Sequence, residues 1–496
     1  MIDVVFGVDV GTSSTKGVVV DTAGRILGEA VRSHVVDRPR PGHVEMDAHV
    51  WWDEFVSLAA ELLDRDDVTV RAVGVSGMGP CTLLVDDAGE PVRPAVLYGV
   101  DTRAEEQIAR LNRELGSDTV FRRCGSALSS QAVGPKLAWI SEREPGVWAR
   151  ARRLLMPASW LAHRLTGAYV LDLHSASQCT PLFDIHEQRW IPEWAEHIAP
   201  GIELPPLRWP GEEAGRVSTP VAGVPAGTPV IVGTIDAWSE AISVGGHGVG
   251  DLMLMYGTTM FLVNTVDRLV TSPSMWSTVG ALPGTRCLAG GMATSGAVTD
   301  WLGHLFGDVD LGVLFAEAAA SAPGANGLVM LPYFAGERTP VMDPDARGVI
   351  AGLTLGHTRA DLMRAALEAT AYGVRHNVET MLAAGADIRR IVAVGGGTRG
   401  GLWPQIVSDV TGLEQIVART TIGASYGAAF LAAGLIGRPD IAAWNPAESV
   451  VRPDPATAGG VYDRRFTQYR VLYESTTAVT HALAHDQNTG REVDTP

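Results

Sequence analysis

The chain makes the same move twice: an apolar strand turns through a Gly-Thr pair into a second apolar strand. The first copy runs from Val4 to Val20 and turns at Gly11-Thr12-Ser13-Ser14. The second runs from Asp251 to Val263 and turns at Gly257-Thr258-Thr259. Glycine permits a sharp bend, and successive N–H groups with Thr and Ser hydroxyls form a concave donor set suited to phosphate oxygens. One such turn says little, since hairpins favour glycine on steric grounds alone. Two of them, with Asp9 ending the strand that feeds the first, predict a duplicated domain gripping one polyphosphate from both sides.

At 496 residues the chain has room for two or more domains, each with its own core. The net charge of −17 argues against nucleic acid and anionic membrane as partners. An anionic ligand must then be held by local donors or a metal. Cys81, Cys124, Cys179 and Cys287 are scattered without a C-x-x-C pair, which predicts reduced thiols and no structural zinc. The first strand begins at once, so no signal peptide is expected, and no apolar run approaches ~18 residues. The expectation is a cytoplasmic, multidomain protein without a membrane span, with a homodimer left open.

Residues 3–36 read as a β-meander. Ala48 to Leu63 has helical spacing, with Trp51, Phe55, Leu58, Ala59 and Leu62 on one face. Arg71 to Gly77 is then a buried strand ending in glycine. The second half echoes this order: a helix from Arg364 to Ala383 precedes the strand Arg390–Val394 and the glycines 395–397. Residues 104–170 are mostly helical, and the eight prolines between Ile191 and Pro229 predict an irregular connection. The glycines at 245–250 predict a hinge, dividing the chain into domains 1–246 and 247–496. The polar tail after His485 should fray.

Several residues point to chemistry. Asp9, two residues before Gly11, can hold Mg²⁺ beside phosphates cradled by the turn; a turn-stabilising carboxylate is the plainer alternative. Lys16 is equally a phosphate contact or a solvated strand residue. Asp236 ends the apolar run from Pro229 and opens a helical pattern, the place where α/β folds put reactive groups. A carboxylate there can take the proton of an attacking hydroxyl, although capping the helix is an equally ordinary use of Asp. Gly395-Gly396-Gly397 permits close approach of a nucleotide to the backbone, or is a plain strand-to-helix turn. His481 and His485 read as a surface helix end rather than a metal site.

With these residues laid out, the chain resembles the FGGY carbohydrate kinases of the actin-like ATPase superfamily. The stretch Gly348-Val349-Ile350-Ala351-Gly352-Leu353, followed by Asp361-Leu362-Met363-Arg364-Ala365-Ala366-Leu367-Glu368, carries most of the likeness. Asp9-Val10-Gly11-Thr12-Ser13, Lys136-Leu137-Ala138-Trp139-Ile140, Leu165-Thr166-Gly167 and Gly336-Glu337-Arg338-Thr339-Pro340 add to it in the right order. The resemblance implies an α/β fold of two ribonuclease H-like domains flanking a central cleft that binds ATP and Mg²⁺. It implies that Gly11, Thr12, Ser13, Gly257 and Thr258 hold phosphates and that Gly396 and Gly397 meet the adenosine. Asp236 matches the catalytic base, also placed at the metal and the sugar, and Asp9 matches the metal-associated carboxylate. Met78, Gly79, Asp101 and Arg103 fall at the sugar site.

Within the family the pattern is most like xylulose kinase, through Gly-Glu-Arg-Thr-Pro and Asp343-Pro344-x-Ala346-Arg347-Gly348. Xylulose kinases usually carry Gln-Met-His-Gly after the strand ending at Gly77. Here Gly77-Met78-Gly79-Pro80-Cys81 lacks the histidine. An extra residue enters Tyr98-Gly99-Val100-Asp101-Thr102-Arg103, and Ala237 follows Asp236 where asparagine is common. The expected substrate is a small sugar, most like a ketopentose, with another ketose, polyol or sugar acid of ribulose, erythritol or gluconate type as the alternative. An actin-like ATPase that drives partner binding is the rival from another class. Asp236, Asp101-x-Arg103 and the C-terminal signature speak against it.

Overall fold

The computed structural model describes the backbone of residues 1–493 and the side chains of residues 1–487. Two mixed sheets of seven strands carry the fold. The first contains β1 (Ile2–Val10), β2 (Ser14–Asp21), β3 (Ile26–Ser33), β4 (Val68–Gly77), β5 (Glu213–Arg216), β6 (Pro229–Ile231) and β7 (Thr234–Ile235). Its order is β5-β6-β4-β1-β2-β3, with β7 also on β4. Strand β1 is buried throughout from Val4 to Val10 because it lies inside the sheet with both faces covered. That is why it reads as an unbroken apolar run, whereas β3 at the edge alternates.

The second sheet contains β8 (Asp251–Tyr256), β9 (Met260–Val266), β10 (Trp276–Val279), β11 (Arg286–Met292), β12 (Arg390–Val394), β13 (Gln415–Ala418) and β14 (Ala447–Val451). Its order, read from the opposite edge, is β14-β13-β12-β8-β9-β11-β10. Both sheets thus pair a Gly-Thr hairpin with a later parallel strand. β4 lies parallel to β1 in the first, and β12 lies parallel to β8 in the second. In both, an antiparallel strand closes that edge. The repeat seen in the sequence is a repeat of topology.

The Ala48–Leu63 helix buries Trp51, Phe55, Leu58, Ala59 and Leu62, with Asp47 accepting the His49 N–H at its start. Burying a Phe or Leu side chain here stabilises the fold by roughly 1.5–3 kcal/mol. The Arg359–Ala383 helix starts earlier than the spacing from Arg364 indicates, because Thr358 and Asp361 form a capping box. The proline-rich stretch is more ordered than expected, holding the Pro192–Ile198 helix and β5. The last helix runs Val461–Val493, past the point where the tail was expected to fray. Its His481 pairs with Asp343 at 2.7 Å. Among the described residues, no helix is long and apolar enough to cross a membrane.

The chain divides into two compact units. The first comprises Met1–His247, Thr265–Cys287 and Thr420–Pro446; the second comprises Gly248–Asn264, Leu288–Arg419 and the chain from Ala447 onward. A division after Gly246 therefore differs from the observed one at 265–287 and 420–446. The reason is the Ala424–Ala433 helix, which lies on β1 and β4. A Cβ on Gly7 would stand 2.2 Å from Ser425 O, and one on Gly74 would stand 2.1 Å from Ala428 O. The same helix meets the Asp236–Ser243 helix at Gly427, where a Cβ would come within 1.8 Å of Ser239 O.

That contact yields a test. Gly427→Ala forces the two helices apart and should destabilise the protein by roughly 1–3 kcal/mol or more. Gly437→Ala, whose Cβ would have its nearest neighbour 4.0 Å away, should leave the melting temperature nearly unchanged. Equal melting temperatures for the two variants would mean the crossing is loose.

Candidate active site

Strand register assembles the first half of the site. On β1, Asp9 lies opposite Lys16 of β2 and Ser76 of β4. Ser76 in turn lies beside Thr234 of β7, and Gly77 beside Ile235. Asp236 is the next residue, the first of its helix, so both carboxylates stand at the same end of the sheet. Ser76 Oγ donates to Asp9 Oδ1 at 2.7 Å, and the Ala237 N–H donates to Asp236 Oδ1 at 2.8 Å. Asp236 thus satisfies one backbone N–H of its own first turn.

The two acids influence each other. Burial, opposed by the Ser76 hydrogen bond and the Lys16 charge, holds Asp9 above the usual carboxylate range. Asp236 is pushed up to about 7, first by withdrawal from water and then by the charge of Asp9. Glu240, one helical turn further along, is also pushed up to about 7, by burial and then by Asp9. The sequence reading missed Glu240, although its i, i+4 spacing from Asp236 puts the two on one helix face.

The first hairpin closes by a Gly11 N–H to Ser14 O bond of 3.0 Å, the second by Gly257 N–H to Thr259 O at 3.2 Å. Neither glycine has positive φ. Clearance favours them, since a Cβ would sit a tight 3.0 Å from Ser14 O and 3.1 Å from Thr259 O respectively. Thr12 Oγ1 lies 2.9 Å from Tyr98 OH. Ser13 and Lys16 are exposed.

Met78 and Gly79 follow β4, and a Cβ on Gly79 would strike Ile235 at 2.6 Å. This loop therefore abuts the residue before Asp236. Met78 is buried, as is Cys81, whose thiol burial pushes up to about 12. Asp101 and Arg103 pair with one another. Asp101 is fully buried, accepting the Val44 N–H at 2.6 Å and pairing with Arg103 at 2.7 Å. Arg103 also binds Glu45 at 2.6 Å and rests on Trp139 at 4.9 Å. These charged groups are turned to one another.

The second unit holds a cavity of about 630 Å³ that brings together Gly257, Thr258, Gly396 and Gly397. That is within the range of small-molecule sites. Its walls include Tyr256, Gly296, Asp300, Phe315 and Trp403, none of which the sequence reading singled out. The Trp403 Nε1–H donates to Thr370 Oγ1 at 2.9 Å, which fixes the indole. Gly395 takes φ 98°, and its Cβ would meet Tyr256 O at 2.5 Å. Gly396 has open space where a side chain would be. A flat apolar wall beside glycine turns suits a base and its ribose.

The Gly336–Pro340 segment braces the second hairpin through the end of β11. Thr339 Oγ1 accepts the Gly291 N–H at 2.7 Å, and Glu337 Oε1 accepts those of Ala293 and Arg338 at 2.9 and 2.7 Å. Just beyond, the Ser295 and Gly296 N–H groups donate to Thr258 O and Gly257 O.

Family comparison agrees with this geometry. The N-terminal domain model of the FGGY family of carbohydrate kinases matches residues 4–243, and its C-terminal domain model matches residues 252–435. The chain belongs to the FGGY family of carbohydrate kinases. This kinase is 33% identical over 476 residues to a glycerol kinase of Nocardia farcinica, covering 90% of this chain and 94% of that one. It is 27% identical over 495 residues to a xylulose kinase of Staphylococcus epidermidis, covering 97% and 98%. The crystal structure of xylulose kinase from Rhodospirillum rubrum matches with a TM-score of 0.90 at 31% identity, covering 96% of this chain and all of that one. The fold is the actin-like ATPase type, and kinases of the family use ATP.

Glu337 gives the kinase a pH dependence of stability. Burial pushes it from 4.5 up to about 7, against two backbone N–H groups and Arg338. Folded protein therefore keeps a proton that unfolded chain has lost between those values. The stabilisation is full below the unfolded value and is lost as pH rises through about 7, by at most about 3 kcal/mol. Glu337→Gln should melt less steeply with pH than the parent between pH 5 and 8. Parallel profiles would show that Glu337 does not titrate there.

Proposed function

We propose that this kinase transfers the γ-phosphoryl group of ATP to a hydroxyl of a small neutral polyol or ketose. Asp236 acts as the base, and the Asp9–Asp236 pair carries the reading. Two carboxylates at one sheet end, one raised to about 7, provide a proton acceptor poised near neutral pH. Asp236 orients the acceptor hydroxyl and takes its proton as the oxygen approaches phosphorus. The N–H groups that follow Gly11 and Gly257, those of Thr12, Ser13 and Thr258, hold phosphate oxygens, and Gly396 and Gly397 leave room for the nucleoside.

Mg²⁺ fits the donor set. Among the described residues, no group of three or more His, Cys, Asp or Glu could hold a metal. A nucleotide-bound Mg²⁺ asks the protein for only one or two carboxylates, which Asp9 and Asp236 offer. When bound, it would neutralise phosphate charge. Asp236→Asn keeps the shape and the hydrogen bond to Ala237 but cannot take a proton. It should lower kcat by roughly two to four orders of magnitude with nucleotide binding nearly unchanged. Near-normal turnover would return Asp236 to a structural role.

The acceptor wall supports a substrate other than D-xylulose. Met78, Cys81 and Ile235 make it apolar where xylulose kinases usually have a histidine, and a lost donor to a sugar hydroxyl is worth about 1–3 kcal/mol. The closed Asp101–Arg103 pair leaves a sugar acid without its charged partner, which favours a neutral acceptor. ADP release should be followed side by side for ketopentoses, pentitols, tetritols, glycerol and aldonates. D-xylulose should prove poor in kcat/KM. A preference for it of tenfold or more would mean the missing histidine is irrelevant to choice.

A further inference from the structure

His34, directly after β3, stands behind the first hairpin and belongs to none of the groups described so far. Its backbone N–H donates to Ser13 O at 3.0 Å, and its Nε2 lies 3.1 Å from Gly11 O. Across the ring, Nδ1 lies 2.9 Å from Glu54 Oε2 on the Ala48–Leu63 helix. That oxygen also accepts from Thr15 Oγ1 at 2.5 Å. A carbonyl and a carboxylate only accept, so each ring nitrogen faces an acceptor. The two side chains are 6% and 13% exposed, so these bonds are made away from bulk water, where charge-assisted hydrogen bonds are strongest.

We propose that His34 is a positioning residue for the polyphosphate, a role that rests on the first hairpin being a phosphate cradle. A peptide unit is planar and trans, so its carbonyl and the following N–H point opposite ways. His34 holds the Gly11 and Ser13 carbonyls on its own side. The N–H groups of Thr12 and Ser14 are thereby turned to the other face, toward the phosphate oxygens. Glu54 and Thr15 fix the ring, so the tension on the turn is transmitted from the Ala48–Leu63 helix. Without the imidazole the Gly11–Thr12 peptide unit is free to rotate, and its N–H must be ordered at each binding event.

Calorimetric titration of the full chain with the magnesium salts of ADP and of a non-hydrolysable ATP analogue, beside AMP, tests the assignment. His34→Ala should weaken both polyphosphates by roughly tenfold and leave AMP within about twofold. His34→Gln, whose amide can still donate to Gly11 O, should recover most of the loss. Glu54→Gln keeps the packing and should fall between the two. A Thr12→Pro variant, which removes the Thr12 N–H itself, serves as the control. If the control binds all three ligands as the parent does, the phosphate-cradle reading itself fails. If the control loses polyphosphate affinity while the His34 and Glu54 variants do not, the positioning role alone is overturned. Equal weakening of AMP and polyphosphates with a lowered melting temperature, not rescued by glutamine, would also overturn it, since that is what a purely structural histidine gives.

Discussion

Backbone-to-backbone packing of the Ala424–Ala433 helix on β1 and β4 is the constraint on which the first unit hangs. Gly7 and Gly74 have no side chain with which to absorb a shift, so the helix rides directly on the two strands that carry the site. A register slip of one residue would turn Asp9 to the other face of the sheet and break its bond to Ser76. The crossing at Gly427 holds the Asp236 helix in the same frame. The relation between Asp9 and Asp236 is therefore set by parts that cannot move independently, and the charge of Asp9 keeps raising the proton affinity of Asp236.

What could be read from the sequence follows from how local its cause was. The Ala48–Leu63 helix announced itself because one face is large and apolar and the other polar. The two hairpins did so through Gly-Thr between apolar runs. The Ala424–Ala433 helix, mostly Ala, Gly and Ser, is buried nearly all round and shows no apolar stripe, so its place on the first sheet had no local signature. Asp101 and Arg103 were visible as a charged pair, but spacing cannot tell whether two charges face a ligand or each other. His34 is a lone histidine in an unpatterned stretch, and its meaning lies in Gly11 and Glu54, distant in sequence. Trp403 and Phe315 could be seen as core residues and became a cavity wall only through their neighbours.

The two sheets share a Gly-Thr hairpin beside a later parallel strand but surround their hairpins differently. The first carries Asp9, Asp236 and Glu240 at the strand ends; the second carries aromatic rings and glycines there. A hairpin retained in both while its surroundings diverge is what duplication followed by division of labour produces. Each turn repeats the same physical device, a glycine whose missing Cβ clears a carbonyl about one turn ahead.

The charge balance explains why backbone geometry matters so much here. The sequence contains only two lysines, Lys16 and Lys136, in a chain of net charge −17. Lys136 is buried and lowered to about 8 by that burial, spending its donors on Leu97 O and Tyr98 O at 2.6 and 2.7 Å. It fixes the segment whose Tyr98 hydroxyl meets Thr12 and offers nothing to a phosphate. Lys16, exposed on β2, is the lysine beside the first turn. At the first turn a polyanion therefore relies largely on oriented N–H dipoles, whose strength depends on direction as well as distance. Point charges tolerate misalignment, and peptide dipoles do not. A kinase with so few lysines has more to lose from a turn free to rotate than one with a lysine at the phosphates, which is the physical reason for holding its first hairpin from behind.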